Sequence, residues 1–436
     1  MPSAREPFPC ALPVVLLSLA ACDAPHAGPE LTTSAAVARS SERAGAGEAS
    51  SSSSSAPAST PTVAASTSAA TPVPAAPRDR PLACGLDSAC LVGDGGAVTC
   101  WGRDGFGQLG TGVARKSVFP PGKPVKGLPE ARSIAVGLDF ACSLSKRGEV
   151  HCWGSSYAGQ SGNGVALPSD PEQASTAGVL APAHVKLSAP AVALDAGVSH
   201  ACAVLDGGTV ECWGANEEGQ LGVRGAWASA VPLAVPGVTG AVEVATGGQH
   251  SCARRADGSV VCWGKSSAEP APGYCASQIT AGSDFTCAIG CAGGAHCWGG
   301  MPGLTAGVDP SPVGPTPILG AIPDVAEIRA GHWHLCARDT AGVSYCWGMN
   351  DGGQLGVGKG AEWSDDTRRE PEKVLQSWRR TSALCAGGML VRGDGSYRRP
   401  ASYLDAGQSC ALADSGEVYC WGGPKQHYEP VRVTKR

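Results

Sequence analysis

From residue 84 onward, apolar and polar side chains alternate in short bursts that repeat along the chain. In Cys202-Ala-Val-Leu-Asp-Gly-Gly208-Thr-Val-Glu-Cys212 the alternation runs on both sides of a Gly-containing turn, which predicts a β-hairpin. The same frame of Cys, nine residues, then Cys-Trp-Gly occurs seven times. Its cysteines are Cys90 with Cys100, Cys142 with Cys152, Cys202 with Cys212, and Cys252 with Cys262. The remaining copies are Cys287 with Cys297, Cys336 with Cys346, and Cys410 with Cys420. Six positions after each first Cys stands a Gly: 96, 148, 208, 258, 293, 342 and 416. A three-residue hairpin loop closes with one residue in the left-handed region, where Gly costs least. Placing these glycines there sets the two cysteines of each copy opposite one another. Facing residues on antiparallel strands lie ~4.5–5.5 Å apart at Cα, within disulfide reach. Seven hairpin disulfides are therefore expected, each contributing roughly 2–3 kcal/mol. Zinc knuckles place cysteines two to four residues apart, a spacing these copies lack, and no metal is expected.

Four copies run on into Gly-Gln-x-Gly: Gly107-Gln108-Leu109-Gly110, Gly159-Gln160-Ser161-Gly162, Gly219-Gln220-Leu221-Gly222 and Gly353-Gln354-Leu355-Gly356. Small-residue strands ending in Gly precede copies, as in Leu194-Asp-Ala-Gly197 and Val244-Ala-Thr-Gly247. The whole unit resembles the repeat of the regulator of chromosome condensation family over residues 81–436. The resemblance implies an all-β fold, a seven-bladed β-propeller of four-stranded blades. The chain begins this region at Pro81-Leu-Ala-Cys-Gly85 and leaves it on Glu429-Pro-Val-Arg-Val433, so first and last segments are expected to share a blade. Blade 4 is short. The stretch after Cys346 is long enough for an eighth, degenerate blade around Met389–Tyr397. Cys84, Cys275, Cys291 and Cys385 lie outside the hairpins. Sequence does not fix their pairing; Cys275–Cys291 with Cys84–Cys385 is the expected arrangement.

The first 80 residues follow neither pattern. Residues 11–21 form one apolar run, too short to span a bilayer, which takes ~20 residues, and shaped like the core of a signal peptide. Leu19-Ala20-Ala21-Cys22 looks like a bacterial lipobox. That likeness implies removal of residues 1–21 and a lipid anchor on Cys22, holding the chain at a membrane as an exported lipoprotein of the periplasm or cell surface. Residues 22–80 are rich in Ala, Ser, Pro and Thr, with Ser50–Ser55 at their centre. Such a composition buries no core and predicts a disordered tether.

Composition narrows function more than it names it. Twenty cysteines suit an oxidising compartment. The formal charge of −5, from 33 basic and 38 acidic residues, gives no basic stripe of the kind nucleic acid needs. Gly105-Phe-Gly107-Gln-Leu-Gly110 matches the dinucleotide fingerprint in letters only, being one copy of the blade turn without strand-to-helix context. Arg392-Gly393-Asp394 spells an adhesive tripeptide where other copies place their turn. His200, His250 and His334 recur at one repeat position, and Asp87, Asp139 and Asp284 stand at the position before it. Satisfying backbone groups between blades is the favoured role for these residues, with a ring binding metal or polar ligand as the alternative.

The seven repeat tryptophans are expected to wedge between blades. Trp227, Trp333, Trp363 and Trp378 fall outside that position, in predicted loops, and are candidate anchors for a partner. No nucleophile elbow, zinc-protease motif or phosphate loop is present, so neither enzymatic activity nor a cofactor is expected. The leading expectation is a monomeric, non-enzymatic scaffold presenting a propeller face to a protein or glycan. Alternatives are guanine-nucleotide exchange, implied by the family name but set against export, and enzyme inhibition in the manner of secreted β-lactamase inhibitory propellers. An enzyme with its site on the propeller axis is a further alternative.

Overall fold

A computed structural model describes the chain from Asp79 to Val433, apart from residues 119–121, 166, 168–177, 266–272, 301–315, 318–321, 323, 351, 359–366, 375–379, 388–407 and 423–426. The leader, Cys22 and the tether expected over 22–80 lie outside the described residues, save for Asp79 and Arg80. So do Trp363, Trp378, the Arg-Gly-Asp tripeptide and the degenerate hairpin at 389–397. No helix among the described residues is long and apolar enough to cross a membrane.

Seven antiparallel sheets stand around one axis, each built from a contiguous piece of chain. Blade 1 comprises Leu82–Cys84, Ser88–Val92, Val98–Asp104 and Arg115–Val118, running from the axis outward. Six sheets have four strands, and blade 4 (241–264) has three among the described residues. Only residues 265–275 separate its third strand from the inner strand of blade 5, Ala276–Ala281, which leaves little chain for a fourth.

Each hairpin folds as its spacing dictates. Cys202 faces Cys212, with Ala203 opposite Glu211 and Val204 opposite Val210. The loop closes through the Leu205 N–H to the Thr209 carbonyl (2.8 Å) and the Gly208 N–H to the Leu205 carbonyl (2.9 Å). Gly208 has φ +79°, and its six counterparts lie between +81° and +87°. In the other blades Cys90 faces Cys100, Cys142 faces Cys152, and Cys252 faces Cys262. Likewise Cys287 faces Cys297, Cys336 faces Cys346, and Cys410 faces Cys420. All seven facing pairs are disulfide-bonded, with Cα atoms 4.0–4.1 Å apart.

Packing is between blades. Trp213 of blade 3 lies in one buried cluster with Leu144, Val150 and Val185 of blade 2 and Leu194 of its own inner strand. Six repeat tryptophans are buried and Trp263 is half-buried. An indole buries 150–250 Å², worth roughly 4–6 kcal/mol at ~25 cal/mol per Å². The polar end of the ring is also provided for. The indole N–H groups of Trp153, Trp213, Trp263 and Trp421 donate to the carbonyls of Gln108, Gln160, Gln220 and Gln354 at 2.8–3.0 Å. Each acceptor belongs to the Gly-Gln-x-Gly turn of the preceding blade. Trp101, Trp298 and Trp347 follow blades without that turn, and their buried N–H groups have no partner among the described residues.

Ring closure departs from expectation. The first and last segments do not share a blade: Leu82–Cys84 pairs with Ser88–Val92, and the strand His427–Arg432 pairs within blade 7. The inner strand of blade 7 is Thr381–Ala386, supplied by chain ahead of residues 388–407, so no strand had to be borrowed from residues 81–85. The join is made instead by the disulfide Cys84–Cys385, whose sequence separation is 301. A second non-hairpin bridge, Cys275–Cys291, ties the chain entering blade 5 to its own hairpin. Cys84, Cys385 and Cys410 have sulfurs close enough to suggest a metal trio, but each is already in a disulfide.

A ring of seven glycines marks the ends of the inner strands. A Cβ on Gly85, Gly137, Gly197, Gly247, Gly282, Gly331 or Gly387 would lie 1.9–2.8 Å from the carbonyl oxygen of the next glycine, with Gly387 returning to Gly85. Backbone approaches side chain-free backbone all the way round. Seven members close this ring, leaving no gap at the axis for an eighth blade.

Candidate functional site

Because every inner strand ends at the glycine ring, the propeller has two distinct faces. The upper face carries the glycine ring, the Gly-Gln-x-Gly turns and the long connections from third to outer strands. The lower face carries the hairpin loops and the starts of the inner strands. Asp79 and Arg80 enter at the lower face beside the axis, and the last strand of blade 7 also descends to it.

Large apolar side chains are exposed in one sector of the upper rim. Val113 (44% exposed) lies in the loop of blade 1, Tyr157 (40%) and Val165 (64%) in that of blade 2. Leu180 and Val231, on the outer strands of blades 2 and 3, complete the set, and of the large apolar residues exposed elsewhere only Val431 is described. Neighbouring blades are stitched together along this rim. The Gly112 N–H donates to the Leu180 carbonyl and the Gly164 N–H to the Ala230 carbonyl, both at 2.9 Å. The Tyr157 hydroxyl bonds the Ser199 hydroxyl of blade 3 at 2.6 Å, and burial raises its pKa. Trp227 is half-buried next to this sector, and its carbonyl accepts the Asn216 N–H. Trp333 is buried, at 5% exposure, which corrects its reading as a loop anchor. It sits in the tight turn between inner and second strands of blade 6, where its carbonyl accepts the Met349 N–H. The repeat position of Asp87 and Asp139, rather than a free loop, explains its burial.

The recurrent histidines form no ring open to ligand. His200, His250 and His334 are at most 3% exposed. Their Nε2 atoms meet the hydroxyls of Ser251, Thr286 and Ser409 in the following blade at 2.7–2.9 Å. A side-chain partner thus joins the expected backbone contact, which the His250 ring makes to Ser283 of the next blade. Ser251 and Ser409 pass their own protons to the carbonyls of Gln220 and Gln354 at 3.0 Å, so the imidazoles of His200 and His334 donate through Nε2. Where a blade has Phe at this position, Phe140 or Phe285, the next blade offers Ala201 or Leu335 instead of a hydroxyl. Burial pushes His200 and His334 down to about 3 and His250 to about 4, so all three stay neutral. Asp139 is also a rim contact, accepting from the Gln108 amide at 3.1 Å.

The axis holds a charged cluster that sequence reasoning missed. Arg80 pairs with Asp195 of blade 3 and lies 3.7 Å from Glu243 of blade 4. Glu243 also binds Arg254 at 2.8 Å. Across the axis Glu327 of blade 6 binds Arg329 at 2.9 Å and Arg338 at 3.1 Å. Some of these side chains also cap the free inner edge of the neighbouring blade. Asp195 accepts the Thr246 N–H at 2.8 Å and Glu243 the Ile279 N–H at 3.3 Å. Thr280 and Gln278 do the same for Ala330 and Ile328. Above this cluster a cavity of about 100 Å³ is lined by Arg80, Asp195, Thr246, Thr280, Arg329 and the glycine ring. Burial works to lower the Arg80 pKa, but Asp195, Glu243 and Glu327 outweigh it and hold it high. For Arg329 burial prevails over the same acids and lowers it. Glu243 and Glu327 recur four positions before the inner-strand glycine, and Arg254 and Arg338 two positions after the first hairpin cysteine, so this recurrence is the signal the sequence held.

Fold and surface together define a disulfide-stapled propeller whose described residues expose apolar side chains on the upper rim of blades 1–3 and include no catalytic constellation. Residues 131–160, 191–220 and 241–268 match the regulator of chromosome condensation (RCC1) repeat, and residues 208–254 match a second description of it. The chain carries that family's repeat over those residues. It is similar to the human probable E3 ubiquitin-protein ligase HERC6, at 34% identity over 146 residues, which are 33% of this chain and 14% of the relative. It is also similar to the bovine secretion-regulating guanine nucleotide exchange factor, at 31% identity over 153 residues, 34% of this chain and 31% of the relative. The match thus spans under a third of either relative. Among solved structures, human WBSCR16 superposes with a TM-score of 0.61 at 22% identity, covering 72% of this chain and 86% of that one. Prp20p of Saccharomyces cerevisiae, whose structure is described with its binding to Gsp1p and histones, gives 0.60 at 21%, covering 82% and 86%. At such identities the likeness establishes the fold.

Proposed function

We propose that this protein is an exported, membrane-tethered binding scaffold that presents the upper rim of blades 1–3 to a protein partner. One observation carries the reading: the exposed apolar side chains Val113, Tyr157, Val165, Leu180 and Val231 cluster on that rim. Exposed apolar patches on soluble domains mark interaction sites. Export is supported by the pairing of every described cysteine in a disulfide, a state kept in oxidising compartments. The lipobox-like Leu19-Ala20-Ala21-Cys22 supplies the anchor in this reading. The names of the relatives suggest guanine-nucleotide exchange or ubiquitin transfer, but both take place in the reducing cytosol, where these bridges would not persist.

The test is cross-linking and capture from intact source cells with the full chain and with V113S/V165S/V231S. An exported protein held by the native chain and lost from the variant is expected. Equal capture by both, or capture of a cytosolic GTPase, would overturn the proposal.

A further inference from the structure

The axial cluster carries an unbalanced charge. Among the described residues, four guanidinium groups (Arg80, Arg254, Arg329 and Arg338) meet three carboxylates (Asp195, Glu243 and Glu327). A buried charge without a counter-charge is costly, and the surplus here is positive. The surplus is also localised. Arg254 and Arg338 each hold a carboxylate through Nε at 2.8 and 3.1 Å, and Arg80 holds Asp195. Arg329 shares Glu327 with Arg338, and its own Nε is buried with no partner among the described residues.

Backbone donors face the same space. Asp195 and Thr280 cap the N–H groups of Thr246 and Ala330 in the next blade. In blades 1, 2 and 4 the equivalent residue is Ala83, Ala135 or Ala245, which has no acceptor to offer Val136, Ala196 or Ala281. All three of those residues line the cavity. Its volume of about 100 Å³ is room for several water-sized groups, and too little for a sugar or nucleotide.

We propose that the axial cavity is a binding site for one small anion, an inorganic oxyanion or a short carboxylate, received by Arg329 and Arg80 and by the inner-strand N–H groups of Val136, Ala196 and Ala281. The anion neutralises the surplus guanidinium and joins blades 1, 2, 3, 5 and 6 across the axis. An oxyanion suits planar guanidinium donors, which bind such groups in a two-point fork.

The experiment is calorimetric titration of the full disulfide-bonded chain with sulfate, phosphate and acetate at constant ionic strength, alongside R329Q and R132Q. Arg132 binds Asp79 at the lower rim, outside the cavity lining, and serves as the control. Saturable binding of one anion per chain is expected, weakened at least tenfold in R329Q and unchanged in R132Q. Tighter sulfate or phosphate identifies an inorganic oxyanion, and tighter acetate a carboxylate. Absence of saturable binding for all three, or equal affinity in R329Q and the native chain, would overturn the proposal. Should R329Q not fold, R329K is read in its place: it keeps the charge but loses the fork, and must weaken binding at least threefold, since unchanged affinity sinks the site.

Discussion

Breaking the bridge that closes the ring should cost far more than breaking a hairpin bridge. Consider C84A/C385A beside C202A/C212A. Both variants remove one disulfide and two sulfurs from buried positions, Cys84 at 8% exposure, Cys385 at 3%, and Cys202 and Cys212 at 0%. They differ mainly in the chain each bridge encloses, a separation of 301 residues against 10. A cross-link restricts the unfolded chain by an amount growing as 1.5RT times the logarithm of loop length. The ratio of about thirty therefore gives a difference of about 3 kcal/mol, on a hairpin baseline of roughly 2–3 kcal/mol. The other bridges shorten the long loop only modestly, and the logarithm is insensitive to that. Urea denaturation followed by tryptophan emission, extrapolated to water, measures both losses under one set of conditions. C84A/C385A is expected to lose about twice as much stability. Losses equal within ~1 kcal/mol would refute the reasoning, and would mean that blades 1 and 7 hold together by packing alone.

Two further predictions concern the repeat positions. S251A should destabilise by about 1–3 kcal/mol, because it leaves the buried His200 Nε2–H unsatisfied, while H200F/S251A copies the Phe140–Ala201 pairing found one blade earlier and should recover most of that loss. No recovery in this double-mutant cycle would refute the pairing rule. His200, His250, His332 and His334 are held neutral by burial, at about 3, 4, 4 and 3, below the ~6.5 of an unfolded imidazole. The unfolded chain then binds protons the folded chain refuses, so stability is full above pH 6.5 and falls as pH drops towards 4, by up to ~1.4 kcal/mol per histidine per pH unit. H200F/S251A should flatten that slope by one proton, and an unchanged slope would contradict it. In the glycine ring, a Cβ at Gly197 would lie 2.2 Å from the Gly247 carbonyl, while one at Gly105 meets nothing nearer than 3.8 Å. G197A should cost about 1–3 kcal/mol and G105A within ~0.5 kcal/mol, read as thermal midpoints, and equal effects would deny close packing at the axis.

The hairpins were legible because every determinant is local: two cysteines, a turn glycine and an alternation that together set register. The inter-blade Trp-to-Gln bonds were half legible, since the Gly-Gln-x-Gly turns stand out but what they accept is 43–67 residues away. The inner strand Thr381–Ala386 was missed because residues 388–407 separate it from its hairpin, and the shared-blade closure was a consequence of that miss. Trp333 reads as a loop residue in sequence, whereas its place in a tight turn against the axis buries it. The charged cluster was overlooked because its members are spread over six segments: the Glu243–Arg254 and Glu327–Arg338 pairs recur within their own blades, and ring closure adds Arg80 and Asp195 to them.

One measurement tests directly whether disulfides close the propeller outside the cytosol. Cysteines of the protein in its source cells are blocked with an alkylating reagent at lysis, and the unreduced chain is mapped by peptide mass spectrometry. The account predicts nine cross-linked peptide pairs, including Cys84–Cys385, with no alkylated cysteine between residues 84 and 420. Alkylated hairpin cysteines in freshly blocked cells would contradict it, placing the chain in a reducing compartment and removing the support for export.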